Sequence, residues 1–229
     1  MEVMVDPFLI EDSVCLRVMV RRTPSRRGGR RGRAGRTITA GVLITLYLVT
    51  YVVIGAISMP IPILFLLMPM LVALFAAPTY HMLLAKTKSS TAIFIAAVLP
   101  SIILVATGHI PIAPLVSIPA GIIALLIAKN GNYEDFKKNA ISHLFFSLNL
   151  FGGFIPIWVM REAFFKSVTH GGLDQSFCDT VRALTPLWML PAMIIGTFVF
   201  SLVGSYLTFK KIVFFFCKLN EETRSLLFS

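Results

Sequence analysis

The residues of this chain best suited to chemistry gather at two borders between apolar and polar sequence. The first is Phe154-Ile155-Pro156-Ile157-Trp158-Val159-Met160-Arg161-Glu162, and the second is Leu184-Thr185-Pro186-Leu187-Trp188-Met189-Leu190. Each carries a proline two residues before a tryptophan, and Trp158 and Trp188 are the only tryptophans in the chain. An indole is favoured where lipid meets water whether or not a ligand is near. That belt does not account for Met160, Arg161 and Glu162 at the first border or Met189 at the second. Arg161 beside Glu162 suits either a rim ion pair of little energetic value or an anion-binding guanidinium held ready by its neighbour. His109 stands between Gly108 and Ile110-Pro111, which places an imidazole where the chain turns and a ligand can be met. Asn149 is the most isolated polar side chain within an apolar run; an interhelical hydrogen bond and a cavity wall fit it equally. His81, His143 and His170 read as hydrogen-bonded interface residues.

Hydrolytic and nucleotide chemistry have no counterpart in the sequence. There is no His-Glu-x-x-His pair, no Gly-x-Ser-x-Gly elbow and no phosphate-cradling loop. Glu221-Glu222 lies in a polar tail without a histidine pair. Cys15, Cys178 and Cys217 are too far apart for a metal or disulfide framework. The chain is therefore expected to be no enzyme and to need no cofactor or metal.

The elements that hold these borders are written in the composition. Of 229 residues, 56% are hydrophobic and 14% charged, and the mean hydropathy is +0.82. A soluble domain cannot bury that much apolar surface, whereas charge-free runs of about 17 to 25 residues suit membrane helices. Six spans are expected, near 37–58, 63–84, 91–107, 112–128, 139–160 and 186–209, in an all-α polytopic bundle. Met59-Pro60-Ile61-Pro62 breaks the first from the second. The apolar run 212–217 is too short to cross again and is expected to extend the last helix along the interface.

Charge sets the expected orientation. Nine arginines crowd residues 17–36, and Lys86, Lys88, Lys129, Lys137, Lys138 and four basic residues after residue 209 would share their side. Only Arg161, Lys166 and Arg182 would face the other, eighteen against three. The positive-inside rule then places both termini in the cytoplasm of a multi-pass cell-membrane protein, with the two tryptophan borders outside. Residues 1–36, rich in Arg, Gly, Ser and Pro, read as a disordered cytoplasmic tail or an upstream extension. Residues 37–211 read as the membrane domain and 212–229 as a cytoplasmic tail. No aromatic residue interleaves the arginines as a stacking platform for bases requires, so no nucleic-acid partner is expected beside the lipid bilayer. In the first span Thr37, Gly41 and Thr45 form a small-xxx-small stripe, suited to close helix packing within the bundle or against a partner.

Pro62-Ile63-Leu64-Phe65-Leu66-Leu67-Met68-Pro69, Ala77-Pro78 with Leu84-Ala85-Lys86, Thr107-Gly108-His109, and the two tryptophan borders occur in an order that resembles the MptD-type (Trep_Strep) membrane proteins. The likeness covers about residues 37–211, and the arginine-rich tail departs from it. The resemblance implies a substrate-binding S component of an energy-coupling factor transporter. Such a subunit captures a scarce nutrient outside the cell, then joins a transmembrane coupling subunit and two cytoplasmic ATPases. It also implies that Thr37, Gly41 and Thr45 meet the coupling subunit. The expected outward pocket comprises His109, Asn149, Trp158, Arg161, Trp188 and Met189, capped by a loop over 162–185. Such a lining would suit a flat, partly anionic small molecule, vitamin-like or a tetrapyrrole. The reading from a different class is a structural or regulatory membrane protein whose borders are interfacial belts alone.

Overall fold

The computed structural model describes residues 30–108, 111–170 and 174–227, with side chains placed over 34–108, 111–169 and 174–210. Among these the fold is all-helical: α1 (Arg30–Ser58), α2 (Pro62–Phe75), α3 (Ala77–Thr87), α4 (Ser90–Ala106), α5 (Ala113–Asn130), α6 (Phe136–Ser147), a 3-10 segment (Leu148–Gly153), α7 (Pro156–Val159), α8 (Arg161–His170), α9 (Gln175–Leu184) and α10 (Met189–Leu227). The boundaries expected at 36 and 211 fall inside α1 and α10. Residues 1–29 of the arginine-rich tail lie outside the described residues.

Proline and glycine divide these helices where backbone hydrogen bonding demands it. Pro78 sits in the first turn of α3, where its missing N–H is harmless, and it separates α2 from α3 within the expected second span. The expected fifth span is more strongly altered: α6 tightens into a 3-10 turn at Leu148 and resumes as α7 at Pro156. Gly152 accounts for part of that tightening. A Cβ there would lie 2.5 Å from the carbonyl oxygen and 2.7 Å from the Cα of Ala113, so only glycine lets this backbone touch the start of α5.

Four helical stretches among the described residues are long and apolar enough to cross a bilayer: Ala34–Ser58, Pro62–Thr87, Ala113–Asn130 and Met189–Lys210. Two of the six expected spans are not of that kind. Ser90–Ala106 has 17 residues and falls just short in length, and 139–160 is interrupted by the 3-10 segment.

The packing is that of a membrane protein. Large apolar side chains such as Leu84, Phe146, Phe151 and Ile157 share the interior with small and hydroxyl ones, Ala97, Ala124, Ser117, Ser142, Ser201 and Thr197 among them, while Val42, Leu46, Val53, Leu115, Leu126 and Ile195 face outward. Water would not leave so many large apolar side chains on the outside. In lipid, close approach of helix backbones and satisfied hydroxyls hold a bundle together. Several interior hydroxyls comply: Tyr80 and Ser142 lie 2.6 Å apart, Ser142 donates to the Ala124 carbonyl at 2.6 Å, and Ser101 meets Ser117 at 2.7 Å. Helix α5 packs between α4 and α6, and α2 packs on α10 and α1.

One end of the bundle gathers basic residues. Lys88, a left-handed cap to α3 at φ 46°, pairs with Glu134 across the α5–α6 turn. Ser90 meets the Tyr133 hydroxyl at 2.6 Å, and Asp135 caps α6 by accepting from the amides of Lys137 and Lys138. Phe136 stacks on Phe209 with ring centres 4.2 Å apart, which brings the neighbourhood of Lys210 to the same end. The α3–α4 turn, the α5–α6 turn and the lower part of α10 therefore share one face, as the charge distribution anticipates.

Candidate functional site

At the opposite end the two tryptophan borders meet. Trp158, on α7, donates its indole N–H to the carbonyl of Pro186 at 3.1 Å. Arg161 opens α8 and donates through Nη1 to the Thr185 carbonyl at 3.1 Å and through Nη2 to the Arg182 carbonyl. The receiving carbonyls lie in the last turn of α9 and just beyond it. A helix C-terminus leaves such carbonyls without intrahelical partners and carries partial negative charge. The guanidinium fork satisfies two of them at once. It is committed to main chain, and the Glu162 carboxylate pairs with Arg182 instead, at 3.3 Å. Both guanidinium groups approach the Phe165 ring, Arg182 at 4.8 Å and Arg161 at 6.0 Å.

The described residues of the interval 162–185, expected as a loop, include two short helices, α8 and α9. Phe164 and Phe165 on α8, and Cys178 and Val181 on α9, are buried, and their spacing gives each helix one apolar face. Phe65 of α2 lies between Phe154 and Phe177, with ring centres 5.1 and 5.7 Å away. An aromatic cluster thus joins α9 to the bundle, and Cys178 is a buried free thiol within it.

Asn149 sits in the 3-10 segment, five residues before Phe154 and 3% exposed. Its amide donates to the Tyr47 hydroxyl at 3.2 Å, and that hydroxyl donates back to the amide oxygen at 3.4 Å. The interhelical hydrogen bond is the reading the geometry favours for Asn149. Tyr47 is the partner that sequence spacing gave no means of choosing, since it lies 102 positions away. The pair is predicted to couple weakly. In a double-mutant cycle of Tyr47→Phe and Asn149→Leu, thermal unfolding in detergent should give an interaction of about 0.5–2 kcal/mol. Strictly additive effects would show that the contact contributes nothing.

The remaining expected residues are dispersed. Trp188 is 68% exposed, as an interfacial belt residue would be. Met189 is half-buried and packs on the core as α10 begins. His109 lies outside the described residues. Thr37, Gly41 and Thr45 are exposed on α1, whereas Leu43, Ile44 and Tyr47 form its buried edge. A Cβ on Gly41 would meet nothing within 4 Å. The small-residue stripe is therefore not the surface by which α1 joins its own bundle.

The family described as hypothetical bacterial integral membrane proteins (Trep_Strep) matches residues 36–217. The chain belongs to the Trep_Strep family. Its outward-facing apolar side chains and its apolar helices accord with an integral membrane location. No curated protein and no solved structure matches the chain. The Trep_Strep match takes in both tryptophan borders, the clasp between them, the Asn149–Tyr47 pair and the exposed stripe of α1.

Proposed function

We propose that this Trep_Strep protein is the substrate-binding S subunit of an energy-coupling factor importer. It captures a small nutrient at the end bearing α7, α8 and α9 and delivers it with a coupling subunit and two ATPases. The observation that carries the reading is the clasp: Trp158 and Arg161 hold a folded two-helix cap over one end of a membrane bundle, at the mouth where the sequence resemblance implies a ligand enters. The nutrient is flat and partly anionic, of the vitamin or tetrapyrrole kind.

Six passes fit this reading. The segment 136–159 combines α-helix and 3-10 helix and extends about 35 Å by the usual rises. That exceeds the roughly 30 Å of a hydrocarbon core. Ser90–Ala106 reaches about 25 Å and crosses with its flanking turn residues. Six passes put both termini with the basic end, which the positive-inside rule assigns to the cytoplasm. The capped end then faces outward.

The exposed Thr37, Gly41 and Thr45 stripe gives the coupling subunit a surface it can approach closely. When the tagged protein is purified from its own membranes in mild detergent, two ATPases and a membrane subunit should co-purify. Gly41→Leu should reduce their recovery at least tenfold while leaving the thermal stability of the isolated subunit unchanged. Recovery of the chain without any ATPase would overturn the reading, and equal recovery with Gly41→Leu would overturn the placement of the interface.

A further inference from the structure

Two of the lysines at the basic end serve the fold: Lys88 pairs with Glu134, and Lys138 donates to the Asn130 carbonyl at 3.1 Å. Lys86, Lys129, Lys137 and Lys210 differ from them. All four are exposed, and none has an ion-pair or hydrogen-bond partner for its ammonium group among the described residues. The acids nearby are engaged, Glu134 with Lys88 and Asp135 with the amides that start α6. Each of the four also stands three or four residues from an exposed apolar side chain on its own helix: Lys86 from Met82, Lys129 from Leu126, Lys137 from Ile141 and Lys210 from Leu207. That spacing puts both side chains on one helix face. The apolar residue always lies on the bundle side of the lysine, preceding it on α3, α5 and α10 and following it at the start of α6.

We propose that Lys86, Lys129, Lys137 and Lys210 bind the headgroups of anionic phospholipids around the basic end of the bundle. A lysine lays its methylene stem along apolar surface and keeps its ammonium among polar groups. Here the ammonium stands about 5 Å further along the helix axis than its lipid-facing apolar neighbour. One phospholipid satisfies both, its phosphate meeting the charge and its acyl chains covering the side chain beneath. A soluble anion engages the charge alone and leaves the apolar half to other molecules. Helix-end electrostatics does not account for the set. Lys86 and Lys129 suit the last turns of α3 and α5, but Lys137 stands in the first turn of α6, where the helix dipole disfavours a cation. The capped end offers no equivalent, because Arg161 is held by main-chain carbonyls and Arg182 by Glu162. Each lysine near an anionic surface strengthens association about fivefold.

The test reconstitutes the full chain in phosphatidylcholine vesicles with a trace of spin-labelled phosphatidylglycerol or spin-labelled phosphatidylcholine. Electron paramagnetic resonance then reads the lipid fraction whose motion the protein restricts. Averaged over the surrounding lipids, phosphatidylglycerol should associate about threefold more strongly than phosphatidylcholine. Sodium chloride at about 1 M, where the Debye length is about 3 Å, should shrink that preference. K86Q/K129Q/K137Q/K210Q, with the arginine-rich tail intact, should lose more than about half of it, whereas K166Q at the capped end should keep it. Each single glutamine replacement should lower the preference in part, so the test does not depend on the quadruple variant folding. Equal association of the two lipids with the unsubstituted chain, or a preference that none of these replacements lowers, would overturn the proposal. So would inorganic phosphate that abolishes the preference where sodium chloride of equal ionic strength does not, since the lysines would then hold a soluble anion.

Discussion

Replacing Arg161 with alanine is expected to free α9 from the bundle. The guanidinium satisfies two carbonyls at the end of that helix, those of Arg182 and Thr185. Hydrogen bonds to a charged donor contribute about 1.5–3 kcal/mol each. Their loss leaves orphan carbonyls at a helix end whose other face is buried against Phe65 and Phe165. A local destabilisation of about 3 kcal/mol corresponds to roughly 100-fold faster opening. Hydrogen exchange followed by mass spectrometry should therefore show amides of Gln175–Leu184 exchanging about 100-fold faster in Arg161→Ala, with α4 and α5 unchanged. Arg161→Lys retains the charge but not the fork, so it should fall between the two. Unchanged exchange over α9 would mean that the aromatic cluster alone holds the cap.

Gly152→Val should have the larger effect on the whole molecule. The clash is with the Ala113 backbone, which has no rotamer to move, so the 3-10 segment and α5 must part. Overpacking costs about 1–3 kcal/mol where side chains can give way, and more where backbone must shift. Gly152→Ala is expected to lower the unfolding midpoint in detergent by about 5–10 °C, and Gly152→Val to prevent recovery of monodisperse protein. A midpoint for Gly152→Ala equal to that of the unsubstituted chain would show that the two backbones separate without penalty.

The sequence made the helical class and most helix boundaries legible because prolines and charges punctuate long apolar runs. Met59 to Pro62 ends α1, and Lys86 to Ser90 separates α3 from α4, close to the expected places. The convergence of the basic turns on one end also followed from charge alone. The fifth span was harder. Its apolar composition is continuous, and the contact of Gly152 with Ala113, which accounts for part of the tightening, is not visible in it. The interval 162–185 carries apolar residues at helical spacing, Phe164, Phe165 and Val168, then Phe177, Cys178 and Val181. That periodicity was available, but the polar composition of the interval outweighed it.

At the site, residue type proved more legible than partnership. Trp158 and Arg161 stand out by composition, yet nothing local shows that both reach main-chain carbonyls more than 20 positions away. Asn149 announces a need for a hydrogen bond without naming Tyr47. His81 and His143 read as separate lone histidines because their separation of 62 positions hides the approach of α3 to α6. Ser201 and Ser205, four apart on α10, were the available signal for a polar seam there.

The central claim is that the capped end takes up a small nutrient, and native mass spectrometry of the protein purified from its own membranes tests it most directly. A single small-molecule adduct should accompany the unsubstituted chain and be lost from Trp158→Ala and Arg161→Ala protein that remains folded. If the chain carries only lipid, or if the adduct survives both substitutions undiminished, the assignment of a capture site to this end of the bundle is contradicted.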